Sequence, residues 1–273
     1  MNNKRSLKKI KLKSDLLKSI KQVFIINLKH RTDRKKIMTE RLKMINIPKN
    51  KITFIEATDR SEESWARALS EIYGFNISNP LDYINKKYLK KIKSPNEKTR
   101  LKAQGEIAVF LSHFRIWSIV SNIKEGSYLV FEDDAIPKPI LFNSSTDTLF
   151  NKVKEVPFIF LGYLYPDCSL KNSLLEIKSG SNSLFSCFVE ALHAYVIRPS
   201  FGLLVKGSLL SKDAYRPLPI SEPVDHFVPN FLLNYDIPFY VYKKPLFDQD
   251  LDLGTDIQGY MDKDKKMFEV LNE

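Results

Sequence analysis

At 273 residues, with 43% hydrophobic and 27% charged side chains, the chain is long enough to bury a sizeable core and too apolar to stay disordered. Fourteen prolines against nine glycines exclude a collagen-like array, and two cysteines, Cys168 and Cys187, outside any Cys/His ligand spacing exclude a disulfide framework and a zinc site of that type. The net charge of +11 is concentrated at the start, where Lys4, Arg5, Lys8, Lys9, Lys11, Lys13, Lys18 and Lys21 face a single acid, Asp15.

Residues 1–21 therefore read as a basic leader. Leu7, Ile10, Leu12, Leu16, Leu17 and Ile20 are interleaved with its cations. Two readings follow: a solvated leader, or peripheral contact with an anionic lipid surface. The cations are not interleaved with aromatics, so nucleic acid is not an expected partner. The stretch lacks the apolar region of a secretory signal, and Val23–Ile26 is too short to span a bilayer. The expected location is cytoplasmic, at most peripheral on the inner face of a membrane.

Val23-Phe24-Ile25-Ile26-Asn27-Leu28 is a continuous apolar run that predicts a strand buried on both faces. Ile37, Met38, Leu42 and Ile45 predict a helix over Thr32–Ile47, stopped by Pro48. Ile52–Ile55 is a second strand. Asp59 or Ser61 can cap a following helix with Trp65, Ala68, Leu69, Ile72 and Tyr73 as its buried stripe and Gly74 as its stop. This order predicts an α/β fold with a mostly parallel central sheet. Residues 76–103 are basic and read as an irregular or partly helical excursion. Gly105–Val120 predicts a helix, Tyr128–Phe131 and Phe158–Leu161 predict strands, and residues 184–197 are β-rich. A helix over Asp225–Leu233 and a strand over Phe239–Tyr242 close the fold. Residues 245–250 begin a loop-like segment, and residues 22–260 form one domain followed by a tail, 261–273.

Four groups of residues carry possible chemistry. Glu132-Asp133-Asp134 follows the Tyr128–Phe131 strand directly. Adjacent carboxylates repel one another, and at the C-terminal end of a buried strand the repulsion is costly unless a cation or water offsets it. A hard divalent ion, Mg²⁺ or Mn²⁺, takes one or two carboxylates plus phosphate oxygens; the plain alternative is a solvated acidic turn. Arg31 and Arg34 follow the first strand at a helix start and suit an anionic group such as a diphosphate, or are ordinary surface charge. Glu106, Phe110, His113 and Trp117 share one helix face, and His113 either supports a ligand or is a structural hydrogen-bonder. Asp225, behind Pro223, is a helix cap or a general base.

In order and spacing these residues resemble glycosyltransferase family 25, which includes bacterial lipopolysaccharide galactosyltransferases and is similar to the transferase domains of collagen galactosyltransferases. The resemblance rests on Asn27-Leu28 with Arg31 and Asp33-Arg34, Ala57 and Asp59, Gly105-Glu106 with Leu111-Ser112-His113 and Trp117, and Glu132-Asp133-Asp134. It continues through Ala194–Ile197, Pro223-Val224-Asp225, Gln249 and Thr255-Asp256-Ile257, and so covers residues 22–260. Glu132 opens the triplet as in bacterial members, whereas Pro223–Pro229 is closer to the collagen-type version.

The resemblance implies a Rossmann-like, GT-A-type fold, a UDP-sugar donor, a divalent metal and inversion at the anomeric carbon. It assigns Glu132 and Asp134 to the metal; it names no third ligand, for which Asp248 and Asp250 are guesses. It places Asn27, Arg31, Arg34, Ala57, Asp59, Gly105, Glu106, His113 and Asp133 around the donor, and makes Asp225 the base. Galactose is the sugar it favours, with glucose the other option. The acceptor is a glycan, a lipid-linked glycan or a hydroxylated side chain, in lipopolysaccharide or glycoconjugate synthesis. A Mg²⁺-dependent phosphoesterase and a membrane-associated sugar-binding protein without activity are the rival readings.

Overall fold

Along the first strand, side chains alternate between two separate apolar layers, and this explains its unbroken hydrophobic run. In the computed structural model, which describes residues 19–138, 156–164, 174–177, 190–209, 220–242 and 245–253, β1 (Ile20–Asn27) sends Phe24 and Ile26 into one layer and Val23 and Ile25 into the other. The strand β3 (Ser127–Glu132) does the same, with Tyr128 and Val130 on one face and Leu129 and Phe131 on the other. Helices cover both faces, so neither can be polar.

The helix α1 (Thr32–Met44) returns the chain from β1 to β2 (Ile52–Glu56), which pairs parallel with β1. Met38, Leu42 and Ile45 bury one side of that crossover. Then α2 (Glu62–Tyr73) starts at Ser61, whose hydroxyl accepts from Ser64 N–H, and stops at Gly74, whose φ of 78° is left-handed. Of the two cap candidates it is therefore Ser61 that caps. Asp59 supports it, accepting from the Ser61 N–H and hydroxyl through Oδ1.

The basic stretch is more helical than its composition suggests. It holds α3 (Lys86–Ile92) and the start of α4 (Glu97–Ser121), which begins two turns earlier than Gly105. The cause is local: Asn96 accepts from Thr99 N–H at 3.0 Å and caps the helix there. From Ala103 onward α4 is buried on most of its surface, because α2, α3, α5 (Pro199–Leu209) and α6 (Val224–Asn234) pack around it.

The remaining strands are β4 (Ala135–Pro137), β5 (Phe158–Leu164), β6 (Leu174–Ile177), β7 (Glu190–Ile197), β8 (Phe239–Tyr242) and β9 (Phe247–Gln249). The sheet order is β2-β1-β3-β7-β5-β8-β6, with β9 bridging β4 and β5. The parallel pairing predicted from the first elements holds for β2-β1-β3. Beyond β3 the sheet is mixed, since β7 runs antiparallel to both β3 and β5. An antiparallel neighbour needs no helical crossover, so the β-α-β signature does not extend there. The fold class is α/β and Rossmann-like, as expected.

Two further expectations change. Residues 245–250 are not loop throughout: Phe247–Gln249 form β9, which pairs antiparallel with β4, and Phe247 packs on Phe131 with ring centroids 4.7 Å apart. The helix α5 was not anticipated. Gly202 allows it to sit on α4, for a Cβ there would lie 2.4 Å from the Trp117 carbonyl oxygen. The leader up to residue 18, both cysteines, Thr255-Asp256-Ile257 and the 261–273 tail lie outside the described residues. Among the described residues no helix is long and apolar enough to cross a membrane.

Candidate active site

The parallel registers bring three strand ends side by side. Ile26 pairs with Glu132, and Asn27 with Glu56, so the C-terminal ends of β1, β2 and β3 form one edge. Ligands bind at this edge in open α/β sheets. A cavity of about 550 Å³ opens there. Ile26, Leu28, His30 and Arg34 line it from β1, the turn after it and α1, and Ala57 to Ser61 from the segment after β2. Gly105, Ala108, Val109 and Ser112 line it from α4, and Glu132, Asp133, Asp134 and Gln249 close it. Its size suits a small-molecule ligand.

The three adjacent acids have different partners. Asp133 is 5% exposed and receives Asn27 Nδ2 at 2.6 Å on one oxygen and Arg34 Nη1 at 2.6 Å on the other. Burial raises its carboxyl above the ordinary value, against the opposing charge of Arg34. Asp134, 8% exposed, accepts from Gln249 Nε2 at 3.1 Å through Oδ2, while its buried Oδ1 has no hydrogen-bond partner. Burial, and then the charges of Glu132 and Asp133, push its carboxyl up to about 7. Glu132 stands at the cavity wall. Burial raises its carboxyl, but the hydrogen bond and charge of His113 outweigh burial and leave it below the usual range.

Behind Glu132 runs a buried chain of hydrogen bonds. Trp117 Nε1 donates to the Tyr195 hydroxyl at 3.1 Å, that hydroxyl meets His113 Nδ1 at 2.8 Å, and His113 Nε2 meets Glu132 Oε1 at 3.1 Å. An ionised carboxylate only accepts, so His113 carries its proton on Nε2, and Tyr195, already accepting from Trp117, donates to Nδ1. The direction runs from Trp117 to Glu132, and it sets the orientation of one Glu132 oxygen.

The cavity gathers Arg34, Ala57, Asp59, Gly105, Glu132, Asp133 and Asp134 from the residues singled out in the sequence. Asn27 and His113 sit behind its wall, holding Asp133 and Glu132. Arg31 is directed elsewhere, forking onto Asp33 at 3.0 and 2.9 Å and reaching the Leu253 carbonyl at 3.1 Å. Glu106 accepts from the Tyr88 hydroxyl at 2.8 Å. Asp225 lies in the first turn of α6, does not line the cavity, and acts with Glu106 and Glu222 on Tyr88, whose hydroxyl is raised first by burial and then by Glu106. Asp248 pairs with Lys138 at 2.7 Å, and Asp250 with Arg41. Sequence reasoning missed Thr58, Ser61 and Ala108 as cavity residues, and it gave Tyr195 and Gln249 no partner. Their roles depend on contacts between distant segments, for which the local pattern holds no signal.

The donor set bears on the metal that the resemblance implies. Among the described residues no three His, Cys, Asp or Glu side chains converge as a closed metal cage. Glu132 and Asp134 fit an open site, in which a hard cation takes one or two carboxylates and completes its shell with substrate phosphate. The partnerless Asp134 Oδ1 is the atom best suited to it.

Residues 20–189 match the sequence model of glycosyltransferase family 25 (LPS biosynthesis protein). The chain is 28% identical over 149 residues to procollagen galactosyltransferase 1-A of Xenopus laevis, a match covering 53% of this chain and 21% of that protein. It is 26% identical over 211 residues to a glycosyltransferase 25 family member of Drosophila melanogaster, covering 77% and 30%. The matched segments thus span less than a third of those relatives' length. Among solved structures it is similar to a glycosyltransferase involved in the glycosylation of the major capsid of PBCV-1. That similarity has 12% identity and a TM-score of 0.37, over 91% of this chain and 98% of that one.

Proposed function

The chain belongs to glycosyltransferase family 25, and from that premise we propose that it transfers a hexose, galactose before glucose, from a UDP-sugar to a hydroxyl acceptor with inversion and with the help of Mn²⁺ or Mg²⁺. The observation that carries this reading is the pair Glu132 and Asp134 on the wall of a strand-end cavity, one of them with a buried, partnerless carboxylate oxygen. Such an oxygen is costly unless a ligand completes it.

In this reading Glu132 and Asp134 hold the cation, which when bound neutralises charge growing on the departing diphosphate. Arg34, paired with Asp133, offsets one of the acid charges at the same end of the cavity. The α4 residues Gly105, Ala108 and Val109 exclude water from the donor. Asp225 lies outside the cavity lining, beside Tyr88 and Glu106, so as the base it would take the hydroxyl proton of an acceptor entering from that side, as one displacement inverts the sugar carbon. The acceptor class is a glycan, a lipid-linked glycan or a hydroxylated side chain, as the names of the relatives suggest. The basic leader adds peripheral contact with an anionic membrane.

Calorimetry with UDP-galactose, in Mn²⁺ and then in chelator, tests the donor half. Metal-dependent binding that Asp134→Asn abolishes supports the reading. No binding by folded protein in either condition refutes it, and phosphate-ester turnover without an acceptor would favour a phosphoesterase instead.

A further inference from the structure

We propose that Thr58 binds the donor in this chain, its hydroxyl hydrogen-bonding the nucleoside part. The proposal rests on the donor reading above and deepens it. Thr58 is 4% exposed and lines the cavity, and its Oγ1 has no hydrogen-bond partner in the protein. Folded chains rarely bury a hydroxyl in that state without a use for it.

The surroundings leave that hydroxyl for a ligand. Thr58 N–H donates to Ser112 Oγ at 2.9 Å, and Ser112 Oγ spends its own proton on the Ala108 carbonyl at 2.8 Å. The backbone at Thr58 is therefore tied to α4 through a serine that has no proton left to give. Neighbouring Asp59 is exposed and its Oδ1 is taken by Ser61. Thr58 is the buried polar group with capacity to spare at this end.

Position assigns the nucleoside rather than the phosphates. The order β2-β1-β3 puts Thr58, just past β2, two strands away from Glu132 and Asp134. At ~4.8 Å per strand that is about 10 Å along the sheet edge. The cavity runs from Glu132–Asp134 to residues 57–61, so a diphosphate held at the β3 end would have room for its ribose and base toward β2. There Ala57, Ala108 and Val109 offer small apolar surfaces against which a flat ring can lie. A hydroxyl both donates and accepts, so it can serve a ring carbonyl or a ring N–H.

The test is calorimetry with UDP, UMP and inorganic pyrophosphate on wild type, Thr58→Val and Thr58→Ser, with thermal melts of the ligand-free proteins. Thr58→Val should weaken both nucleotides by about three- to tenfold, the usual reach of one hydrogen bond. Thr58→Ser should restore them, and pyrophosphate binding should not change. The ligand-free Tm of Thr58→Val should hold or rise, because the lost hydroxyl had no partner. Equal nucleotide affinity in Thr58→Val and wild type overturns the proposal while leaving the donor reading intact. Equal weakening of pyrophosphate overturns the assignment to the nucleoside. Wild type that binds neither UDP nor UMP overturns the donor reading and this proposal together.

Discussion

The guanidinium of Arg34 lies 2.6 Å from Asp133 Oδ1, and each side chain is only 7% exposed. The middle acid of the triplet is thus neutralised from within, and Asn27 occupies its other oxygen. This contact fastens the first turn of α1 to the end of β3. It also gives the three acids different surroundings: both oxygens of Asp133 are held by Asn27 and Arg34, whereas Asp134 keeps a buried oxygen without a hydrogen-bond partner.

Removing one partner of such a pair strands a buried charge, whereas removing both does not. Arg34→Ala is expected to cost ~3–5 kcal/mol, and Arg34→Met combined with Asp133→Leu to recover most of it. Urea denaturation of the two variants measures the difference. A loss under ~1 kcal/mol for Arg34→Ala would show that the pair does not anchor α1.

Asp134 should trade stability for binding. Burial and the neighbouring Glu132 charge hold its carboxyl at about 7 against an ordinary 3.8. Between those values the folded chain keeps a proton that the unfolded chain has released, so stability falls as pH rises through this window. Above pH 7 the cost is fully present. Asparagine carries none, so the Tm advantage of Asp134→Asn should grow from pH 4 to pH 8 in chelator. Mn²⁺ should reverse the ranking at pH 8 by stabilising only the wild type. A pH-independent Tm difference would count against this account.

The chain from Trp117 through Tyr195 and His113 to Glu132 predicts a remote effect. Tyr195→Phe leaves Trp117 Nε1 and His113 Nδ1 without their partner. The expected stability loss is ~1–3 kcal/mol per stranded group. Once His113 is less firmly held, Mn²⁺-dependent UDP affinity should fall by ~10-fold or more. Unchanged metal dependence in a destabilised Tyr195→Phe would make the chain purely structural.

What could be read in advance follows from what is local. The runs Val23–Ile26 and Tyr128–Phe131 are buried on both faces, so composition alone marks them as central strands. The triplet is legible because its carboxylates sit next to a strand end in the sequence itself. Gly74 and Ser61 carry their signals in single residues. By contrast β9 has three residues, too few for any period to show, and it exists because β4 and Phe131 receive it. The division of labour within the triplet depends on Asn27, Arg34, His113 and Gln249, brought from three other parts of the chain. Thr58 is hidden for the same reason: its hydroxyl matters for what fails to reach it, and only the folded chain shows that.

Two glycines of α5 should respond in opposite directions to the same substitution. An added Cβ at Gly202 would meet the Trp117 carbonyl oxygen at 2.4 Å and Ser121 N at 3.0 Å, both backbone atoms of α4 that cannot rotate away. At Gly207 nothing lies within 4 Å. Alanine gains up to ~1 kcal/mol over glycine in a helix interior, whereas overpacking a tight contact costs ~1–3 kcal/mol. At Gly207 only the gain applies, so Gly207→Ala should raise the denaturation midpoint. At Gly202 the clash is the larger effect, so Gly202→Ala should lower the midpoint by pushing α5 off α4. Both midpoints rising would mean that the two helices are not in the close contact described, and that Trp117 owes its burial to its other neighbours, Phe110, Phe114 and Phe227.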